Sequence, residues 1–131
     1  MTERYAIQYK RKGEKEMTIK ECYAVADADF ADVIKRLGSE AMVKRFALKF
    51  LNATSFEDLK EGIRLQDGEK AFRAAHTLKG VCLNLGFTGL GKASSELTEK
   101  LRGREISGSE ELMQEVEAKY TSLVETLRQV E

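Results

Sequence analysis
The single histidine of the chain, His76, lies in Ala71–Gly86, AFRAAHTLKGVCLNLG, a setting suited to nucleophilic chemistry. The segment reads as an α-helix, which turns about 100° per residue, so each side chain can be placed around the axis. Ala71, Ala74, Leu78, Val81, Cys82 and Leu85 fall opposite the histidine as an apolar stripe suited to a bundle interior. Phe72, Lys79, Gly80 and Leu83 share its face, with Arg73 beside them. A neutral imidazole nitrogen is nucleophilic near neutral pH. Lys79, one turn on, sets a cation where a phosphoryl group on the ring would sit. Gly80 costs about 1 kcal/mol relative to Ala in a helix interior, and a glycine kept there permits another body to approach closely.

A purely structural histidine is the plain alternative. The helical wheel argues against a core role, because it turns His76 away from the stripe. A solvated surface role leaves Phe72 and Leu83 as unexplained exposed apolar neighbours, and Gly80 as an unexplained cost. Nucleophile, cation, notch and apolar rim together describe a docking surface around a reactive nitrogen.

The elements that must position this face are helical from Ile19 onward. Ile19, Cys22, Tyr23 and Ala26 mark a first short helix; Phe30, Val33, Ile34 and Leu37 mark a second that stops near Gly38. Ser39 caps a third with Val43, Phe46, Ala47, Phe50 and Leu51. Asn52–Ser55 is a break before Phe56, Leu59 and Ile63, and the pattern fits one bent helix or two. Asp67 caps the histidine helix and Gly86 stops it. Thr88 is expected to cap the next helix, with Leu90, Ala93, Leu97 and Leu101, ending at Gly103. Ser107 and Glu110 have capping-box spacing and open a last helix with Leu112, Val116, Tyr120, Leu123, Leu127 and Val130. Amphipathic helices on short loops predict an all-α fold, an antiparallel four-helix bundle with additional short N-terminal helices.

Residues 1–16 differ from the rest: Tyr5, Ile7 and Tyr9 alternate, then KRKGEKE is charged. They read as a disordered or loosely docked arm, or as an extension upstream of a start at Met17. The domain is expected over 17–131. Lys plus Arg and Asp plus Glu both total 22, so the chain lacks the basic excess of a general nucleic-acid binder. It has no apolar run near the roughly 20 residues of a membrane span, and no signal-peptide core at its start. Cys22 and Cys82 show neither disulfide nor zinc spacing, and a lone histidine excludes a multi-histidine metal site within one chain. A cytoplasmic protein is expected, monomeric, without membrane or nucleic-acid partners. Cys82 is read as a core filler, and Glu111, Glu115 and Lys119 as a solvated face.

His76-Thr-Leu-Lys79-Gly80, with Gly86 six residues on, resembles the H-x-L-K-G-x5-G signature of histidine phosphotransfer (HPt) domains. A weaker likeness runs over roughly residues 17–130, through the helix order and the FxxxF of Phe46 and Phe50. The resemblance implies a four-helix bundle with a phosphoryl-accepting His76 exposed midway along one helix, against which a receiver's aspartyl phosphate docks. It implies response-regulator receiver domains and a hybrid histidine kinase as partners. Many members carry small residues after the glycine, where this chain has Val81 and Cys82, so altered packing is expected there rather than lost transfer.

Phosphoryl acceptance on His76 is therefore expected, with Lys79 offsetting charge on the phosphoryl oxygens and Phe72, Arg73, Gly80 and Leu83 meeting the partner. The docking role of Leu83 comes from the wheel alone. Mg²⁺ would belong to the receiver, so no cofactor and no independent catalytic activity is expected of this chain. The alternative is a helical adaptor that binds receivers or kinases without accepting phosphate; it has no need of the nucleophile.

Overall fold
The computed structural model of the protein describes residues 17–130, and the expected N-terminal arm lies outside the described residues. Seven α-helices are found there: α1 (Ile19–Val25), α2 (Phe30–Leu37), α3 (Glu40–Lys49), α4 (Ser55–Arg64), α5 (Gly68–Asn84), α6 (Thr88–Leu101) and α7 (Glu110–Leu127). The ambiguous third element is two helices, because the chain tightens into a 3-10 turn at Phe50–Asn52 and leaves it extended at Ala53.

Side-chain caps fix most of the starts. Thr18 and Glu21 form a reciprocal capping box at α1, while Asp29, Ser39 and Asp67 each accept a backbone N–H three residues on. Two expected caps fall elsewhere. Thr88 is the first residue of α6 rather than its cap, and its hydroxyl donates to the Asp27 carbonyl at 3.1 Å. Ser109, not Ser107, precedes α7, and its hydroxyl turns back to the Ile106 carbonyl at 2.6 Å. The Thr88 hydroxyl meets a carbonyl brought near by tertiary packing, and the Ser109 hydroxyl one in its own turn; either bond competes with capping.

Helices α1, α4 and α5 end alike, with one residue in the left-handed region at Asp27, Gln66 and Gly86. In each, the next N–H reaches back five residues: Ala28 to Tyr23, Asp67 to Gly62 and Phe87 to Cys82. The reversals at Gln66 and Gly86 fold α4, α5 and α6 back on one another as antiparallel neighbours, with α7 packed on α6 and with α1 and α2 bonded to the α5–α6 turn.

Helix α5 packs most extensively on α4 and α6. A Cβ on Gly62 of α4 would lie 2.7 Å from the Ala71 nitrogen, and one on Gly91 of α6 would lie 3.0 Å from Leu83 Cδ2. Glycine on each neighbour thus lets a helix close tightly on α5, which sets its rotation. Ala71, Ala74, Leu78, Cys82 and Leu85 are buried as the stripe requires, and Val81 is half-buried.

The core continues as a chain of aromatic rings: Phe30 on Tyr23, Tyr23 on Phe87, Phe87 on Phe50, Phe50 on Tyr120, and Tyr120 stacked on Phe56 at 3.9 Å. Polar contacts tie the N-terminal helices to the α5–α6 turn. The buried Tyr23 hydroxyl donates to the Leu85 carbonyl at 2.6 Å, and the Asp29 N–H donates to that of Gly86 at 2.9 Å. Arg36 on α2 donates to the Leu83 and Asn84 carbonyls at 3.0 and 2.8 Å. A cation there satisfies free carbonyls and complements the negative end of α5. Among the described residues, no helix is long and apolar enough to cross a membrane.

Candidate functional site
His76 stands exposed near the middle of α5, on the face turned from the core. Its ring lies nearly parallel to that of Phe72, one turn earlier, with centroids 6.0 Å apart and planes 14° apart. Phe72 is half-buried instead of forming a bare apolar rim, because arginines from beyond α6 cover it. The Arg104 guanidinium carbon sits 4.0 Å from the Phe72 centroid, and that of Arg102 sits at 5.4 Å.

Arg104 reaches the site through its backbone. Its φ of 65° and the bond from its N–H to the Leu101 carbonyl at 2.7 Å turn the chain just after α6. That turn lays the Arg104 carbonyl against Gly68, the first residue of α5. From there the side chain donates to Glu69 at 2.8 Å, and Arg73 pairs with the same carboxylate. Glu69 is held below the usual carboxylate range, by the Arg104 hydrogen bond first and the Arg73 bond next. Glu69, Phe72, Arg73, His76, Thr77 and Arg104 line one shallow concavity of about 310 Å³.

On the other flank, Lys79 is half-buried and Gly80 is exposed. Among the described residues, a Cβ on Gly80 would meet nothing within 4 Å, so the described bundle does not itself require a glycine there. Glu99 on α6 is held below the usual carboxylate range mainly by its hydrogen bond from Arg102, with Lys79 adding a smaller attraction. Leu83 is 49% exposed, although one of its methyls rests against Gly91.

Every site residue read from the sequence thus lies along one face of α5. Arg104 and Arg102 lie beyond α6 and outside any wheel of the histidine helix, whereas Glu69, seven residues before His76, shares the histidine's face although the motif does not single it out. Glu69–Arg73 has the i,i+4 spacing of a helical ion pair, which is a legible signal. Arg104 carries no such signal, because it arrives from a loop 35 residues away from its partner Glu69.

Both cysteines are buried away from this face, and burial pushes the Cys22 thiol up to about 11 and the Cys82 thiol up to about 12. Such thiols pack as small apolar groups. Among the described residues, no group of three or more His, Cys, Asp or Glu could hold a metal ion. The site presents one accessible imidazole, with the Glu69 carboxylate and the Arg73 and Arg104 side chains on one flank and Lys79 on the other.

A family model of the Hpt domain matches residues 51–129, which takes in α4 to α7 and the whole His76 face. No curated protein and no solved structure matches the chain. With more than half of the chain covered and an all-helical bundle beneath it, the chain belongs to the Hpt domain family, the histidine phosphotransfer modules of phosphorelays.

Proposed function
We propose that this protein is a phosphorelay carrier that accepts a phosphoryl group on His76 from a receiver-domain aspartate and passes it to another receiver. The observation that carries the reading is the exposed imidazole between Phe72 and the open notch at Gly80, with Lys79 beside it. The Nε2 lone pair attacks phosphorus in line. The N–P bond forms as the O–P bond breaks, the receiver's aspartate leaves as a carboxylate, and the ring proton stays on Nδ1. Lys79 offsets charge on the phosphoryl oxygens. The open notch at Gly80 lets the receiver backbone close in, and Arg73, Phe72 and Leu83 meet its surface.

The receiver supplies Mg²⁺ and the remaining catalytic groups, so the protein acts as carrier and not as an enzyme on its own. Response-regulator receivers and a hybrid histidine kinase are the partners, met in the cytoplasm by a monomer. Residues from 17 onward act as one unit, since α1 and α2 share the core and hold the end of α5. Incubation with a phosphorylated receiver tests the reading. Acid-labile label on wild type and none on His76→Gln is expected. Binding of the receiver without label would favour the adaptor role instead.

A further inference from the structure
We propose that Arg104 is a phosphate-responsive arm of the His76 site, held by Glu69 until His76 is phosphorylated and then transferred from the carboxylate to the phosphoryl oxygens. The inference rests on His76 being the phosphoryl acceptor. Three observations carry it.

The arm is within reach. The guanidinium carbon lies 4.0 Å from the Phe72 centroid, whose ring lies 6.0 Å from that of His76, so the guanidinium and the imidazole are within 10 Å of one another across a shared concavity. A phosphoryl group on Nε2 extends further toward solvent from the ring, and an arginine side chain has the length to meet it.

The arm has a fixed base and an exposed head. The Arg104 backbone is pinned by its bond to Leu101 and by its carbonyl against Gly68. The side chain is held by Glu69, by the Arg102 carbonyl to which it donates at 2.5 Å, and by the Phe72 face, contacts that are exposed or partly open to water. The bond to the Arg102 carbonyl lies within its own loop and can persist while the Glu69 partner is exchanged. Exposed ion pairs exchange at little cost.

The competition favours phosphate. Glu69 offers one negative charge and already has Arg73 as a second partner. The phosphoryl group brings nearly two charges and three acceptor oxygens, which suit the planar fork of a guanidinium. Glu69 keeps Arg73 after the exchange, so no carboxylate is left without a partner. Glu69 is thus a positioning residue that parks the arm, and Arg104 lengthens the life of the phosphorylated state.

Phosphoramidate, a small-molecule phosphoryl donor, labels histidine without a receiver and so separates this proposal from the relay. Wild type, Arg104→Gln, Arg104→Lys and Glu69→Gln are labelled, and two quantities are read. One is the half-life of phospho-His76; the other is the ¹⁵N resonance of Arg104 Nε, with and without label. Arg104→Gln is expected to shorten the half-life roughly two- to fivefold, the scale of an exposed charge pair. Arg104→Lys should restore part of it, and the Arg104 Nε resonance should move on labelling. In Glu69→Gln the unlabelled resonance should already differ from wild type. Equal half-lives in wild type and Arg104→Gln, or an Arg104 resonance indifferent to labelling, would overturn the proposal. Label from phosphoramidate but none from any receiver would overturn the relay reading alone. No label on His76 from either donor would overturn both.

Discussion

The carbonyl oxygen of Arg104 occupies the space that a side chain on Gly68 would need: a Cβ there would stand 1.9 Å from it. This contact joins the loop after α6 to the first turn of α5, and it brings an arginine to the histidine face from outside the histidine helix. Because backbone presses on backbone, neither side can yield by a change of rotamer.

Gly68→Ala is therefore expected to push the Arg104 turn off α5. The cost is about 2 kcal/mol of stability, in the range of overpacked sites. Urea unfolding followed by circular dichroism measures it. A stability within ~0.5 kcal/mol of wild type would show that the loop moves aside freely.

Glu69 should titrate below an ordinary glutamate, because Arg104 and then Arg73 donate hydrogen bonds to its charged form. A carboxyl whose folded value is depressed contributes its stabilisation above the unfolded value of about 4.3 and loses it as pH falls through the folded value. The loop anchored by Arg104 is thus expected to loosen in acid and to be held at neutral pH. Side-chain ¹³C titration of Glu69 tests the direction. The midpoint should rise in Arg104→Gln without reaching that of a free glutamate, since Arg73 remains.

Gly80 gives a prediction in which stability and function part company. Among the described residues, nothing lies within 4 Å of a Cβ placed there, so Gly80→Ala should stabilise the isolated protein by about 0.5–1 kcal/mol through helix propensity. If a receiver backbone closes over that notch, the same methyl should slow phosphoryl transfer roughly tenfold. Thermal unfolding and receiver-dependent labelling of one variant read both effects. A stabilised variant with unchanged transfer would place the partner elsewhere.

What could be read from the sequence depended on whether partners share a helix. A single wheel placed His76 opposite Ala71, Ala74, Leu78, Cys82 and Leu85, because one rotation angle governs them all. Ala75 shows its limit: it borders His76 in sequence yet is fully buried, because α5 is packed closely on both sides. Ser39 and Asp67 could be identified as caps because the bond they make spans three residues. Thr88 cannot be ruled out as a cap from sequence, since its partner carbonyl at Asp27 comes from another segment. Ser107 cannot be ruled out because two serines, Ser107 and Ser109, precede α7 and the capping-box spacing points to the first. The Phe72–Arg104 stack was least accessible, because it depends on a left-handed turn at a non-glycine residue meeting a glycine on another helix.

The end of α5 offers the last test, one that concerns helices before the matched segment 51–129. The Tyr23 hydroxyl donates to the Leu85 carbonyl at 2.6 Å inside the core, where its ring also packs on Phe30 and Phe87. Burial, more than any neighbouring charge, raises the phenol's pKa above its ordinary value, so it stays protonated and donating. Tyr23→Phe keeps the ring and removes only the donor, leaving a buried carbonyl without this partner. The expected loss is about 1–2 kcal/mol. Amide hydrogen exchange locates it: protection should fall in the last turn of α5 and the Gly86 turn more than around His76. If protection falls evenly along α5, the N-terminal helices stabilise the bundle as a whole and do not anchor that end of the histidine helix in particular.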